Sequence, residues 1–232
     1  MRKGSRKGCP IGTLDASSTC GRERIACKKK KAKQLASKFN THNTFTHFPR
    51  SEDCEVCRNC KVSRAQCRQR HADDQPSPGT IPISQNFGEY VTADTEILND
   101  DDASRDHDKN VTVIQCKSTY WLQGFPSTTK NTADTKKAFQ RFWGPDVIAK
   151  LVYTDNAGEF IAALDELGID HDTATPHRPE TNGIAERAVR RIKEGSSCAL
   201  VQSGWSDEWW PQAMACYCFL RNIIDKFIDG KT

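Results

Sequence analysis

An α/β domain with a mixed sheet is the fold class that this sequence predicts, on three observations. Strand-like and helix-like segments follow one another from residue 87 in the order β-β-β-α-β-α-β-α-α. The 232 residues, 36% of them hydrophobic, suffice for one core of roughly 100–150 residues with appendages. A Pro/Ser/Gly-rich stretch, DDQPSPGTIP at 73–82, separates this patterned part from a region of different composition ahead of it.

The elements can be taken in order. FGEYVTADTEIL (87–98) alternates as a strand, and NVTVIQCK and TYWLQGF follow as two more, with the acidic loop DDDASRDHD between the first and second. NTADTKKAFQRFWGP reads as a helix that Gly144 ends and Pro145 cannot continue. VIAKLVYT is a fourth strand, EFIAALDEL a short helix and GIDHDTA a fifth strand. A long helix is expected from Thr181, behind the punctuation of Pro179 and Asn182-Gly183, with Ile184, Ala188, Ile192 and Ala199 on its buried stripe. A last helix starts near Pro211, a residue suited to a first turn. Cys198, Cys216 and Cys218 fall on these last helices and read as core.

Ahead of the linker the composition changes twice. Residues 1–33 hold eleven Lys or Arg against Asp15 and Glu23, so a basic, disordered arm is expected over 1–40, with a polyanion as its partner. Residues 41–72 concentrate His and Cys, 73–83 form the linker and 84–232 the packed domain. The N-terminus has no apolar run of the signal-peptide kind, and the longest one, MACYCFL at 214–220, is too short to span a bilayer. Eleven cysteines without an export signal suggest reduced thiols and metal binding, in the nucleus or cytoplasm, not a secreted disulfide framework.

The informative stretch is KLVYTDNAGEF (150–160), where a buried strand ends on an acid, Asp155, and turns at once through Asn156 and Gly158. TPHRPETNGIAERAVRRIK follows. The TDNAGEF turn and the P-x-x-N-G-x-x-E-R pattern closely resemble the catalytic core of retroviral and LTR-retrotransposon integrases, over roughly residues 84–228. The resemblance implies a ribonuclease H-like fold, a mixed five-stranded sheet flanked by helices, with a D, D, E acid triad. Asp155 matches the second aspartate and Glu186 the glutamate. Asp94, by its position in YVTADTEIL, matches the first, with Glu89 and Glu96 as neighbouring acids. Thirty residues separate Asp155 from Glu186, fewer than is usual in the family, the shortfall falling between Phe160 and Gly168.

Phosphoryl transfer explains these residue types independently. In-line attack can use two divalent ions, and such hard ions take carboxylate oxygens, so Mg²⁺ or Mn²⁺ suits three acids better than zinc does. Arg190 and Lys193 lie four and seven residues beyond Glu186, on the same helical face, where they are placed to grip a DNA backbone; the resemblance gives them contacts to the element's DNA end. It further implies DNA ends and target DNA as partners, a homo-oligomer and no membrane. The reactions implied are trimming of the DNA 3′ ends followed by strand transfer.

Many integrases carry a zinc module of two His followed by C-x-x-C. Here His42, His47, Cys54 and Cys57 stand in that order, but only six residues separate His47 from Cys54, too few for the usual helical module. Cys60, Cys67 and His71 compete as ligands, Cys9, Cys20 and Cys27 show no useful spacing, and His171 and His177 have no assigned partner. The sequence ends at IDKFIDGKT, just past the last core helix, so the family's C-terminal DNA-binding portion is expected to be absent. Two other readings stay open: a catalytically inactive DNA-binding remnant of a retrotransposon polyprotein, and another metal nuclease of the same fold.

Overall fold

In the computed structural model, residues 42–61, 86–147, 149–173 and 179–225 are described, with side chains from 183 onward in the last stretch. Asn43–Thr232 form one compact unit. Its elements are α1 (Glu55–Cys60), β1 (Tyr90–Ile97), β2 (Asn110–Cys116), β3 (Leu122–Ser127), α2 (Thr132–Trp143), β4 (Leu151–Thr154), α3 (Gly158–Leu167), β5 (His171–Thr173), α4 (Pro179–Ser203) and α5 (Trp210–Ile224). One-turn 3₁₀ helices lie at Asp100–Asp102 and Asp207–Trp209.

The strands form one sheet in the order β3-β2-β1-β4-β5. β1 pairs antiparallel with β2, and β2 with β3, as sequential strands joined by short connections do. β1 pairs parallel with β4, and β4 with β5, because helices α2 and α3 intervene as crossovers. The mixed five-stranded sheet expected from the sequence is therefore present.

Helices cover both faces, so β2 is buried along its whole length. On one face Val91, Ala93, Ile114, Cys116 and Phe125 pack against Phe139, Phe142 and Trp143 of α2 and Phe160 and Leu164 of α3. Phe139 and Phe160 are wholly buried and meet edge to face, 6.0 Å between centroids. Burial of each such ring contributes about 1.5–3 kcal/mol. On the other face Val111, Val113 and Leu122 meet Ala188, Val189 and Ile192 of α4 and Met214, Tyr217 and Cys218 of α5.

The local signals act as their chemistry requires. Asn131 caps α2, its Oδ1 accepting from Asp134 N at 2.7 Å, and Gly144 ends the helix at φ 67°. Asn222 on α5 clasps the start of β3: its Oδ1 accepts from Leu122 N (3.0 Å) and its Nδ2 donates to Leu122 O (2.9 Å). No helix among the described residues is long and apolar enough to cross a membrane.

Several expectations need correction. α4 begins at Pro179, so Asn182-Gly183 lies inside its first turn and not before it. Its buried stripe runs through Ala185, Ala188, Val189, Ile192, Ser196 and Leu200, while Ile184 and Ala199 are half-buried, because the sheet and α5 cover α4 from two sides. Cys198 and Cys218 are core, but Cys216 lies on the exposed side of α5. The loop after β1 is pinned at Ser104, whose Oγ accepts from the backbone N–H groups of Asp106 and Asp108. The basic arm and the linker lie outside the described residues, as do Cys9, Cys20, Cys27, Cys67, His71 and His177.

The crossing of α4 and α5 is tight at one point. A Cβ on Gly195 would stand 2.2 Å from the Tyr217 ring. Gly195→Ala should therefore cost about 1–3 kcal/mol in urea unfolding. Gly158→Ala, where a Cβ meets nothing within 4 Å, should stay within about 0.5 kcal/mol of the parent.

Candidate active site

The acids come together because two elements pack on one side of β1. Residues alternate along a strand, so Val91 and Ala93 face α2 and α3 while Asp94 and Glu96 face α4. The register agrees: Asp94 sits opposite Val113 and Glu96 opposite Val111, both on the α4 side. β4 runs parallel beside β1 with Thr92 opposite Tyr153, and two further steps on each chain bring Asp94 level with Asp155. α4 then lays Glu186 over the same edge.

Electrostatics report the convergence. Burial pushes the Asp94 carboxyl up to about 6, the Thr95 backbone N–H (2.8 Å) opposes the rise, and the charges of Asp155, Glu186 and Glu96 add to it. Asp155 Oδ1 is buried with no hydrogen-bond partner among the described residues. A buried carboxylate oxygen without a donor, beside a second acid whose charged form is disfavoured by burial and by its neighbours, is an arrangement that a divalent cation would satisfy. The donor set, all carboxylate oxygen, suits Mg²⁺ or Mn²⁺.

Arg190 and Lys193 share the cleft. A hollow of about 570 Å³ is lined by Asp94, Glu96, Glu186, Val189, Arg190 and Lys193, with Cys60, Glu194 and Ser197 toward its far end. Lys193 Nζ is paired directly with Glu96 Oε1. Glu89 points elsewhere, in an ion pair with Lys150 (2.7 Å).

Two features behind Asp155 escaped the sequence reading. Thr154, wholly buried, donates its hydroxyl to Asp155 O (2.6 Å), and its Oγ1 also meets His171 Nε2 at 2.7 Å. With that hydroxyl proton committed, His171 is the donor in the second bond. The strand-end backbone that carries Asp155 is thus tied to β5. The pairing depends on the β4–β5 register, in which Val152 lies opposite His171, and no local motif announces it.

The Cys/His segment also closes on itself. One ligand atom each from His42, His47, Cys54 and Cys57 lies within 4.8 Å of every other. His47 Nδ1 faces Cys54 Sγ (3.4 Å) and Cys57 Sγ (3.7 Å), while its Nε2 meets Gln202 Oε1 of α4 at 3.3 Å. A ring whose far nitrogen donates to an oxygen is oriented for metal binding through the near one. Burial and the adjacent Cys54 hold the Cys57 thiol above its ordinary range. Thr46 Oγ1 donates to Asp225 Oδ1 (2.6 Å), so the segment sits against α4 and the end of α5.

No family model matches the chain. Over 76 residues, 32% of the chain, it is 39% identical to the Retrovirus-related Pol polyprotein from transposon RE2 of Arabidopsis thaliana. It is 40% identical over 75 residues to that from transposon RE1 of the same plant, and 29% identical over 93 residues to the Gag-Pol polyprotein of koala retrovirus. The matches span 5–6% of the length of those proteins. In structure, 77% of the chain overlays 61% of a chain from the simian T-cell lymphotropic virus intasome in complex with PP2A regulatory subunit B56 gamma, with TM-score 0.53 and 16% identity. The chain shares with that intasome chain its fold, a mixed five-stranded sheet flanked by helices. The catalytic core domain of BIV integrase overlays 62% of this chain and 90% of its own, with TM-score 0.47 and 17% identity.

The raised Asp94 value has a thermodynamic consequence. Without metal the folded protein holds this proton more tightly than the unfolded chain, so the contribution of Asp94 to stability falls as pH rises from about 3.8 to about 6. Asp94→Asn removes the penalty. In metal-free buffer it should melt higher than the parent above pH 6, with the gain gone below pH 4. Equal melting temperatures at pH 8 would contradict the burial and repulsion assigned to Asp94.

Proposed function

We propose that the chain is the integrase region of a retroelement polyprotein and carries out metal-dependent polynucleotidyl transfer on DNA. The observation that carries this reading is the convergence on Asp94 of the charges of Asp155 and Glu186, beside a cleft lined by Asp94, Glu186, Arg190 and Lys193. The partial identity to retroelement Pol polyproteins and the shared fold support it.

Asp94, Asp155 and Glu186 would hold the divalent ions, which supply the charge that activates the attacking oxygen and stabilises the leaving one. Asp94 and Asp155 are fixed by sheet backbone, and Glu186 by a helix packed on that sheet, so the carboxylates need little reorganisation. Arg190 and Lys193 take the backbone phosphates next to the reacting bond and orient the strand. In the first reaction water attacks a phosphodiester near the element's 3′ end; the P–O3′ bond breaks, the 3′ oxygen stays on the retained strand as a hydroxyl, and the trimmed nucleotides carry the phosphate away on their 5′ side. In the second the freed 3′ hydroxyl attacks a target phosphodiester, and the target's own 3′ oxygen leaves. Neither step forms a bond to the protein. His42, His47, Cys54 and Cys57 would hold one zinc, which braces the segment seated on α4.

Two experiments test this reading. Glu186→Gln keeps size and hydrogen bonding but removes the charge. It should abolish strand transfer on short DNA duplexes and shrink stabilisation by Mn²⁺, while metal-free melting stays unchanged or rises. Asp94→Asn and Asp155→Asn should do likewise, and Asp101→Asn should do nothing. An active Glu186→Gln protein would overturn the catalytic assignment, whereas a parent blind to Mn²⁺ and inactive would favour the DNA-binding remnant. Separately, protein purified under reducing conditions should carry about one zinc, lost when Cys54 and Cys57 are both replaced by Ser. Metal analysis finding none would remove the zinc site.

A further inference from the structure

Glu96 and Glu194 are acids of the cleft that the proposed chemistry does not use, and of the two Glu96 stands beside the candidate ligands. It stands two residues beyond Asp94 on β1, on the same face of the strand, and its charge contributes to the rise in the Asp94 carboxyl. Its carboxylate reaches across the cleft to α4 and pairs with Lys193 Nζ. Both side chains are partly exposed, at 54% for Lys193 and 29% for Glu96. An ion pair this wet contributes little to stability, so holding the fold together does not account for it.

The pair does change what the cleft offers to an anion. Arg190 and Lys193 are the cations among its lining residues, against the carboxylates of Asp94, Glu96, Glu186 and Glu194. With Lys193 bound to Glu96, half of that positive charge is committed within the protein. A phosphodiester oxygen approaching Lys193 meets the chemical group it most resembles, a singly charged oxyanion, already in place.

We propose that Glu96 acts as an internal stand-in for a backbone phosphate, a latch that occupies Lys193 until a nucleic-acid phosphodiester displaces it. The inference rests on the DNA-binding reading above. DNA must break the Glu96–Lys193 pair before Lys193 can contribute, so the latch weakens binding of any duplex that does not enter the cleft deeply enough to displace it. Glu96 thereby tunes how readily DNA is held, without touching the reacting atoms.

The test is a double-mutant cycle on the full chain. Binding of a labelled short duplex is followed by fluorescence anisotropy across a salt series, in EDTA and at pH 8, where Asp94 is ionised with or without its neighbour. The proteins are the parent, Glu96→Gln, Lys193→Gln and the double variant. Glu96→Gln should bind about three- to tenfold more tightly and steepen the salt dependence by up to about one counterion, as Lys193 no longer divides its time between Glu96 and phosphate. In the Lys193→Gln background the same change should give a clearly smaller gain and no steepening. A gain equally large with and without Lys193 would make Glu96 a mere repelling charge and overturn the latch. A parent that binds DNA while Glu96→Gln binds no better would overturn it as well. Melting temperatures within a degree or two of the parent are expected for both single variants, since the pair is solvent-exposed. If no variant binds DNA, the DNA-binding reading falls and the latch with it.

Discussion

The seating of α4 on the sheet is the constraint from which the rest follows. Ala188, Val189 and Ile192 lie on Val111 and Val113, and Gly195 lets the Tyr217 ring of α5 lock the helix from its other side. Nothing in β1 or β4 alone would bring Glu186 to Asp94. The cluster exists because a 25-residue helix is held in one rotational setting, in which the row after Glu186 faces the strand edge. A rotation by one residue, roughly 100°, would turn Glu186 away from Asp94 and put a core alanine in its place. The apolar core is thus also the positioning device for the charged site, and it contributes packing energy that offsets the mutual repulsion of the acids.

Much of this was legible in the sequence, and the reason differs from residue to residue. Asp155 and Glu186 announce themselves by local grammar: a strand that ends on an acid before a turn, and an N-G-x-x-E-R run opening a helix. Asp94 is carried by its place in an alternating strand. What the sequence could not yield depends on register between segments far apart in the chain. The Thr154–His171 bond exists only because Val152 lies opposite His171, and the Glu96–Lys193 pair joins residues 97 apart in the chain. Period-two alternation does put Glu96 on the face of Asp94, a signal that could have flagged it; its partner could not be foreseen. α4 starts two residues ahead of the expected Thr181, at Pro179, a residue suited to a first turn.

The Cys/His segment shows the same division between local pattern and distant contact. Six residues between His47 and Cys54 are too few for a helical module, yet the four ligand atoms still meet. They do so through a turn at 44–46, with His47 in a left-handed conformation (φ 52°), and the single short helix α1. So small a unit cannot bury a core of its own. Its outward groups are met instead by Gln202 and Asp225, and Cys57 is buried completely. Cys60 and Cys198 lie beside each other where α1 meets α4. One helix therefore carries a catalytic candidate toward its N-terminal end and supports the metal-binding candidate toward its other end.

The placement of Cys60 at the far end of the cleft gives α4 the character of a ruler. From Glu186 to Ser197 the lining residues span eleven steps of the helix, roughly 16 Å at about 1.5 Å per residue. Under the proposed function, a single strand of duplex DNA, rising about 3.4 Å per nucleotide, would lay about five nucleotides along that length. The segment that looks like a separate appendage in the sequence thereby lends a residue to the wall of the cleft. Under that same reading, shortening or swinging α1 away would change the length of strand the cleft accepts while leaving Asp94, Asp155 and Glu186 in place.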